Sequence, residues 1–237
     1  TVGNTGTTAE SANYTIDTLA PTATITVNTV TSDNVINQSE LAAGNVPVTG
    51  TVGGDVKVGD IVTLTINGHT YVGGVTANLA GELTYSIDVL ASDLVADENV
   101  TASVATTDAA GNTTTVTANH AVGVDVVAPT ATITLSDDAL RIGDTSTVTI
   151  TFSEAVSGFS LSDLTANNGT LSNLSSATVN ANGTVTYTAT FTPNSNIEDT
   201  TNVVSLTTGY TDTVGNTGTT AESANYTIDT LAPTATI

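Results

Sequence analysis

Neither cysteine nor methionine occurs anywhere in the 237 residues. Without thiols the fold has no disulfide staples, no thiolate nucleophile and no soft-metal ligand, so stabilisation must come from packed cores or from hard-ion sites. Positive charge is almost as scarce. Lys57 and Arg141 stand against 23 Asp and Glu, a formal net charge of −21. Nucleic acid and anionic lipid surfaces both need clustered Lys and Arg, so neither is expected as a partner, whereas metal cations are. The plainer alternative is that an acidic surface only keeps the chain dissolved. No apolar run approaches the ~20 residues a membrane helix needs, so no direct membrane insertion is expected. No basic-plus-apolar signal opens the sequence, which reads as an internal excerpt of a longer chain.

Aromatics make up only 4% of the residues, while 39% are hydrophobic. The apolar set is mostly Val, Ile, Leu and Ala, and Thr is abundant throughout. That mixture fits pleated, half-buried surfaces, so the expected class is all-β.

Residues 1–25 and 213–237 are the same twenty-five letters, TVGNTGTTAESANYTIDTLAPTATI, and a third APTATI begins at Ala128. Ala20 to Ala128 spans 108 residues and Ala128 to Ala232 spans 104. Each interval is the size of an immunoglobulin-like sandwich, ~100 residues. The expected organisation is therefore the last strand of a truncated preceding module at 1–19, module 1 at 20–127, module 2 at 128–231, and the start of a further module at 232–237. Two tandem immunoglobulin-like β-sandwich modules would then lie end to end in an array, each with neighbouring modules of the same chain as its partners. The chain is expected to be monomeric, with edge-strand pairing through residues 1–17 as the one route to association.

Alternating apolar and Thr or Ser positions mark seven strand candidates in each module, from TATITV to TTTVTANHAV and from TATITL through SGFSLSDLT to SANYTID. Asn67-Gly68, Asn168-Gly169 and Asn182-Gly183 read as tight hairpin turns. No stretch shows a convincing helical period.

The joints read Asp17-Thr-Leu-Ala-Pro-Thr, Asp125-Val-Val-Ala-Pro-Thr and Asp229-Thr-Leu-Ala-Pro-Thr, and they hold three of the five prolines. Proline fixes its own φ and keeps the preceding Ala extended, so these linkers are short and stiff. Seventeen residues before two of these Asp stand Asp108-Ala-Ala-Gly-Asn and Asp212-Thr-Val-Gly-Asn. An Asp in such a turn commonly only caps it. Strand geometry adds a second reading: at ~3.3 Å per residue, Asp108 and Asp125 are roughly 40 Å apart and cannot share a site. Asp125 should instead meet Asp212 and Glu154, Asp17 should meet Asp108 with Asp55 and Asp60, and Asp229 would meet the next module. Converging carboxylates repel unless a cation lies among them. Oxygen-only ligands on flexible loops suit Ca²⁺ better than Mg²⁺ or Zn²⁺. Further oxygen donors fall in the loops after each first strand: Asp33, Asn34, Asn37 and Glu40 in module 1, Asp137, Asp138 and Asp144 in module 2. These either complete a joint site, hold a separate ion, or serve as turn residues.

The joints, the Asp-Ala-Ala-Gly-Asn hairpin, the loop Ser-Asp-Asn-Val-Ile-Asn-Gln-Ser-Glu and the run Gly-Asp-Thr-Ser-Thr-Val-Thr-Ile-Thr-Phe-Ser-Glu-Ala-Val at 143–156 resemble bacterial immunoglobulin-like repeats of giant type I-secreted repeats-in-toxin adhesins. The resemblance covers nearly the whole chain. It implies an extracellular, cell-surface extender that projects a distal binding region, with Ca²⁺ at the joints stiffening the fibre. A departure is that module 1 offers Asp55 and Asp60 where module 2 has Glu154.

His69 and His120 lie in no nucleophile motif, and the Gly-Gly pairs at 53–54 and 73–74 precede no helix, so no enzyme is expected. Ligand binding by the modules themselves is the rival reading. Glycans need exposed aromatic platforms, and six Tyr and three Phe leave few to spare beyond two cores. Ice binding would need Thr runs stacked at constant spacing, and these recur irregularly.

Overall fold

The computed structural model describes residues 14–236. In chain order its first elements are β1 (Ala23–Ile25), β2 (Val35–Ile36), α1 (Gln38–Ala43), β3 (Asn45–Gly54), β4 (Ile61–Ile66), β5 (His69–Gly74), β6 (Thr76–Ala77), β7 (Leu83–Leu90), α2 (Ala91–Ala96), β8 (Asn99–Thr107), β9 (Thr113–Ala121) and β10 (Gly123–Val124). There follow β11 (Ala131–Leu135), β12 (Ala139–Arg141), β13 (Ser146–Phe152), β14 (Leu164–Ala166), β15 (Gly169–Ser172), β16 (Thr178–Val179), β17 (Val185–Pro193), β18 (Glu198–Asn202), β19 (Val204–Leu206), β20 (Ala221–Glu222) and β21 (Tyr226–Asp229). The fold is all-β, as expected. None of its helices is long and apolar enough to cross a membrane among the described residues.

The chain divides into two compact units. The first comprises the described part of Thr1–Thr29 with Pro47–Val89 and Asn99–Ala121. It carries two four-stranded sheets, ordered β1-β3-β7-β6 and β5-β4-β8-β9. Burial alternates along each strand. Val62, Leu64 and Ile66 of β4 and Val100, Ala102 and Val104 of β8 are buried, as are Val48 and Val52 of β3 and Tyr85, Ile87 and Val89 of β7. The intervening Thr63 and Thr65 lie toward solvent, the period of two that a half-buried strand requires. Asn67 and Gly68 both have positive φ, 50° and 73°, and join Ile66 to its register partner His69; this is the left-handed pair a two-residue hairpin needs. The Tyr85 hydroxyl reaches across to donate to the Thr26 carbonyl at 2.8 Å. Gly50 makes room for it, since a Cβ there would collide with that carbonyl and the Tyr85 ring. Burial pushes the Tyr85 hydroxyl up to about 12.

The second unit comprises Val30–Val46, Leu90–Glu98 and the described part of Val122–Ile237. Its largest sheet runs β11-β13-β17-β15 with β16 also on β17, beside β12-β21-β18 and β14-β19-β20, while β10 lies parallel to β2. One core gathers Ile133, Leu140, Val148, Ile150, Phe152, Leu164, Phe191, Val204, Leu206, Tyr210, Tyr226 and Ile228. Phe152 meets Phe159 and Tyr210 edge to face, each at 4.9 Å between ring centroids, and Phe191 meets Tyr226 at 5.3 Å. All three phenylalanines are thus engaged in packing, a use that favours edge-to-face rings over exposed platforms.

Three local expectations are corrected. Two six-residue helices, α1 and α2, are present; fewer than two turns is too short to display a period. The run SGFSLSDLT is not one strand: a 3₁₀ turn at Leu161–Asp163 precedes β14. Asn168-Gly169 is not a hairpin, because β14 pairs with β19 while β15 pairs with β17, so the chain changes sheets there. Asn168 instead gives Nδ2 to Asp199 Oδ2 at 2.7 Å and Asn202 Oδ1 at 3.0 Å. Of the segment expected as an orphan strand, residues 1–13, with the edge pairing proposed for them, lie outside the described residues. Tyr14–Asp17 form no strand, and Tyr14 and Ile16 are exposed.

Candidate metal centre

In the second unit the Asp212-Thr-Val-Gly-Asn turn closes on its first side chain. Asp212 Oδ1 accepts from the backbone N–H of Val214 and of Asn216, both at 2.9 Å, and Oδ2 accepts from Asn216 Nδ2 at 2.7 Å. Asp212 N–H returns to the Asn216 carbonyl at 3.0 Å, with Gly215 at φ 94°. Asp212 is only 2% exposed and Asn216 1%. Asn216 Nδ2 also donates to the Asp125 carbonyl at 2.9 Å, which brings the joint up against the turn. Asp125 Oδ1 accepts from Val127 N–H at 3.1 Å, fixing the start of the Val-Val-Ala-Pro linker. Glu154 follows the end of β13.

One oxygen from each of Asp125, Glu154 and Asp212 lies within 4.8 Å of the others, the single such group among the described residues. The donor set is all oxygen. Glu154 is held above the usual carboxylate range, first by desolvation and then by the charges of Asp125 and Asp212, with a Ser153 hydrogen bond opposing. At this spacing each pair of carboxylates repels by roughly 3 kcal/mol at an effective dielectric of ~20, before the screening a part-exposed group receives. A hard divalent cation removes that repulsion, and the residues present fit one: carboxylates with neighbouring backbone carbonyls, and neither nitrogen nor sulfur among the ligands.

The first unit repeats the turn with a different outcome. Asp108 Oδ1 accepts from Ala110 and Asn112 N–H, both at 2.9 Å, and Oδ2 accepts from Asn112 Nδ2 at 2.9 Å. Asn112 Nδ2 reaches the carbonyls of Asp17 and Leu19 at 3.2 and 3.3 Å. The Asn112 side chain heads the causes that hold Asp108 below its ordinary value. Asp17, Asp55 and Asp108 line one open recess of about 270 Å³, and Lys57 lines it too. Lys57 Nζ donates to the Thr107 carbonyl at 3.3 Å. The three carboxylates do not close to the spacing of the Asp125 group. Asp60 takes another role, its Oδ2 accepting from Lys57 N–H at 2.9 Å to cap that turn.

Comparison with known proteins follows the same lines. Residues 125–228 match the family model of the bacterial Ig-like domain. An immunoglobulin-like domain of the M. primoryensis ice-binding adhesin is 50% identical over all of its own length and 45% of this chain, with a TM-score of 0.41. This chain belongs to the bacterial Ig-like family. A Ca²⁺-stabilised adhesin that helps an Antarctic bacterium reach out and bind ice is 38% identical at a TM-score of 0.64, over 93% of the Ig-like chain and 52% of that structure. A 1.5-MDa bacterial ice-binding adhesin, described for its host cell surface retention, is 30% identical at a TM-score of 0.62 over 88% of the chain and 65% of that structure. The chain thus spans about half to two thirds of these two. No curated protein matches it. The Ig-like chain is thus similar over most of its length to segments of large bacterial adhesins.

Most of the other oxygen donors expected from the sequence of this Ig-like chain serve turns and caps. Asp33 Oδ1 accepts from Thr31 Oγ1 at 3.0 Å and Val35 N–H at 3.1 Å, and Asn34 Oδ1 from Val30 N–H at 3.0 Å. Asn37 is the N-cap of α1, and Glu40 reaches back to its N–H at 3.0 Å. Asp137 Oδ1 caps Ala139 N–H at 3.0 Å, Asp144 Oδ2 caps Arg141 N–H at 2.9 Å, and Asp138 lends its carbonyl to Thr227 N–H at 2.8 Å. Asp229 ends β21, exposed, opposite Glu198 on one side and Arg141 on the other. Sequence reasoning missed Asn112 and Asn216, although both stand in the repeated Asp-x-x-Gly-Asn pattern, and it passed over Lys57 and Glu198.

Proposed function

We propose that this chain is an extender segment of a bacterial surface adhesin, in which modules 20–127 and 128–231 are stiffened where they join by Ca²⁺ held by Asp125, Glu154 and Asp212. The observation that carries the reading is the meeting of those three carboxylates, with Glu154 raised by desolvation first and then by the charges of its two neighbours. The Ca²⁺-stabilised relative supports it. Extracellular calcium modules bind at roughly 10⁻⁴ to 10⁻³ M, so such a site fills outside the cell and stays empty in the cytosol. That fits a chain exported, by type I secretion in this proposal, before it stiffens. The chain acts as a monomer whose partners are its own neighbouring modules, and its task is reach, with ligand binding left to another part of the parent protein. Asp17, Asp55 and Asp108 form a second, weaker candidate, since Lys57 already supplies a cation to that recess; Asp229 with Glu198 is a third.

Calorimetric titration with Ca²⁺ tests this directly. Wild type should show a binding class that Asp125→Ala lacks, and small-angle scattering should show the maximum dimension contract or broaden when a chelator is added. Identical isotherms for the two proteins, or scattering indifferent to chelator, would overturn the proposal.

A further inference from the structure

Asn216 does more than close a turn. The turn itself uses the backbone of Asn216, whose N–H donates to Asp212 Oδ1 and whose carbonyl accepts from Asp212 N–H, and one side-chain bond, from Nδ2 to Asp212 Oδ2. The rest of the side chain reaches beyond the turn and is fully engaged. Nδ2 spans the Asp125 carbonyl and Asp212 Oδ2. Oδ1 accepts from Gln38 N–H at 2.7 Å, a residue 178 positions away in sequence, at the first turn of α1. Beside it, Asn37 Nδ2 donates to the Val214 carbonyl at 2.9 Å. Asn37 can do this because its other side-chain atom, Oδ1, is committed to the α1 cap through Glu40 N–H at 2.9 Å. The first four N–H groups of any helix lack internal partners, and one of them is satisfied here by a side chain from far along the chain.

We infer that Asn216 is a positioning residue that latches the Asn37–Glu40 turn onto the 212–216 turn without a metal ion, while holding the Asp125 carbonyl and the Asp212 carboxylate side by side for an ion. Two observations carry this independently of calcium. Every contact across the latch is made by neutral amides and carbonyls, which need no counter-ion. The gripping of a linker carbonyl also recurs in the first unit, where Asn112 Nδ2 holds the carbonyls of Asp17 and Leu19. The loop 30–40, whose oxygens resemble a metal-binding set in sequence, thereby becomes the docking half of a hydrogen-bonded joint. Only the second half of the inference, the presentation of ligands, rests on the calcium reading.

Amide hydrogen exchange in chelator tests the latch. Gln38 N–H should be protected in wild type and exchange at least tenfold faster in Asn216→Ala, while Leu41 N–H, bonded within α1 to the Asn37 carbonyl, keeps its protection. Asn37→Asp is the second variant: it retains the cap oxygen and loses the Nδ2 donor to Val214, so it too should speed exchange at Gln38 with α1 intact. Equal Gln38 rates in wild type and both variants would overturn the inference, as would protection that appears only when calcium is added. Calorimetry on Asn216→Ala should then show Ca²⁺ affinity reduced about tenfold. Were wild type to bind no calcium, the proposed function would fail while the exchange result stood.

Discussion

Thr22 gives both its backbone N–H, at 2.7 Å, and its hydroxyl, at 2.9 Å, to a single carboxylate oxygen of Asp55. These bonds, the backbone one foremost, hold Asp55 below its ordinary value of 3.8. A carboxylate with a depressed folded pKa contributes stability that is present above its unfolded pKa and lost as pH falls through the folded one. Asp55→Asn should therefore lower the melting temperature of the first unit near neutrality and flatten its acid limb below about pH 4. A wild-type acid limb retained by the variant would count against this role.

Glu154 has the opposite sign. Its raised pKa means that, without metal, the folded state gains from protonation, so in chelator this group's contribution to stability should rise as pH falls through its raised folded pKa. Glu154→Gln should accordingly raise the melting temperature in chelator, where only repulsion is removed, and lower it in millimolar Ca²⁺, where a ligand is lost. Calcium at about 100 times its dissociation constant adds roughly 2.7 kcal/mol to the wild type. A shift of the same sign under both conditions would exclude an ion among these carboxylates.

The Tyr85 hydroxyl and Gly50 share one space, so either can be tested alone. Gly50→Ala forces a Cβ against the Thr26 carbonyl and should cost about 1–3 kcal/mol. Tyr85→Phe removes one hydrogen bond and should cost about 1 kcal/mol. Denaturant melts read both. Neither should alter the Ca²⁺ response of the second unit.

Tyr226 presents a buried hydroxyl with no partner among the described residues. Desolvation first, with Asp199 adding to it, pushes that hydroxyl up to about 12. An unsatisfied buried hydroxyl costs about 1–3 kcal/mol, so Tyr226→Phe should leave stability unchanged or raise it by about 1 kcal/mol. Alkaline difference spectroscopy should lose one late-titrating tyrosine. A clear loss of stability would reveal a partner for the hydroxyl.

The strands were the readable part of this chain, because a half-buried strand writes its period of two directly into the letters: VTLTI and VTASVATT alternate as their burial does. What was hidden had two causes. Asn37-Gln-Ser-Glu40 and Ser160-Leu-Ser-Asp163 are both capping boxes, a cap residue followed three positions later by an acid. The first stands open in sequence between ion ligands and turn residues and the second reads as strand, since oxygen donors look alike until their partners are known. The second cause is context. Tyr14-Thr-Ile-Asp17 and Tyr226-Thr-Ile-Asp229 are the same letters, yet Tyr14 and Ile16 are 78% and 76% exposed while Tyr226 and Ile228 are each 1% exposed in β21. β12 and β18 flank the second copy, and no local pattern announces them. The convergence of Asp125, Glu154 and Asp212 was readable because it followed from strand direction alone, whereas Asn216 acts through Gln38, a pairing no spacing rule reaches.

The linkages from Asn216 to Gln38 and Asp125, and from Asn37 to Val214, involve no formal charge on either side. At molar salt the screening length shrinks to about 3 Å, which weakens ion pairs and eases mutual repulsion among acids, but leaves a short dipolar bond almost untouched. A tether built this way should hold its posture from fresh water to brine, a tolerance that a joint assembled from opposite charges would lack.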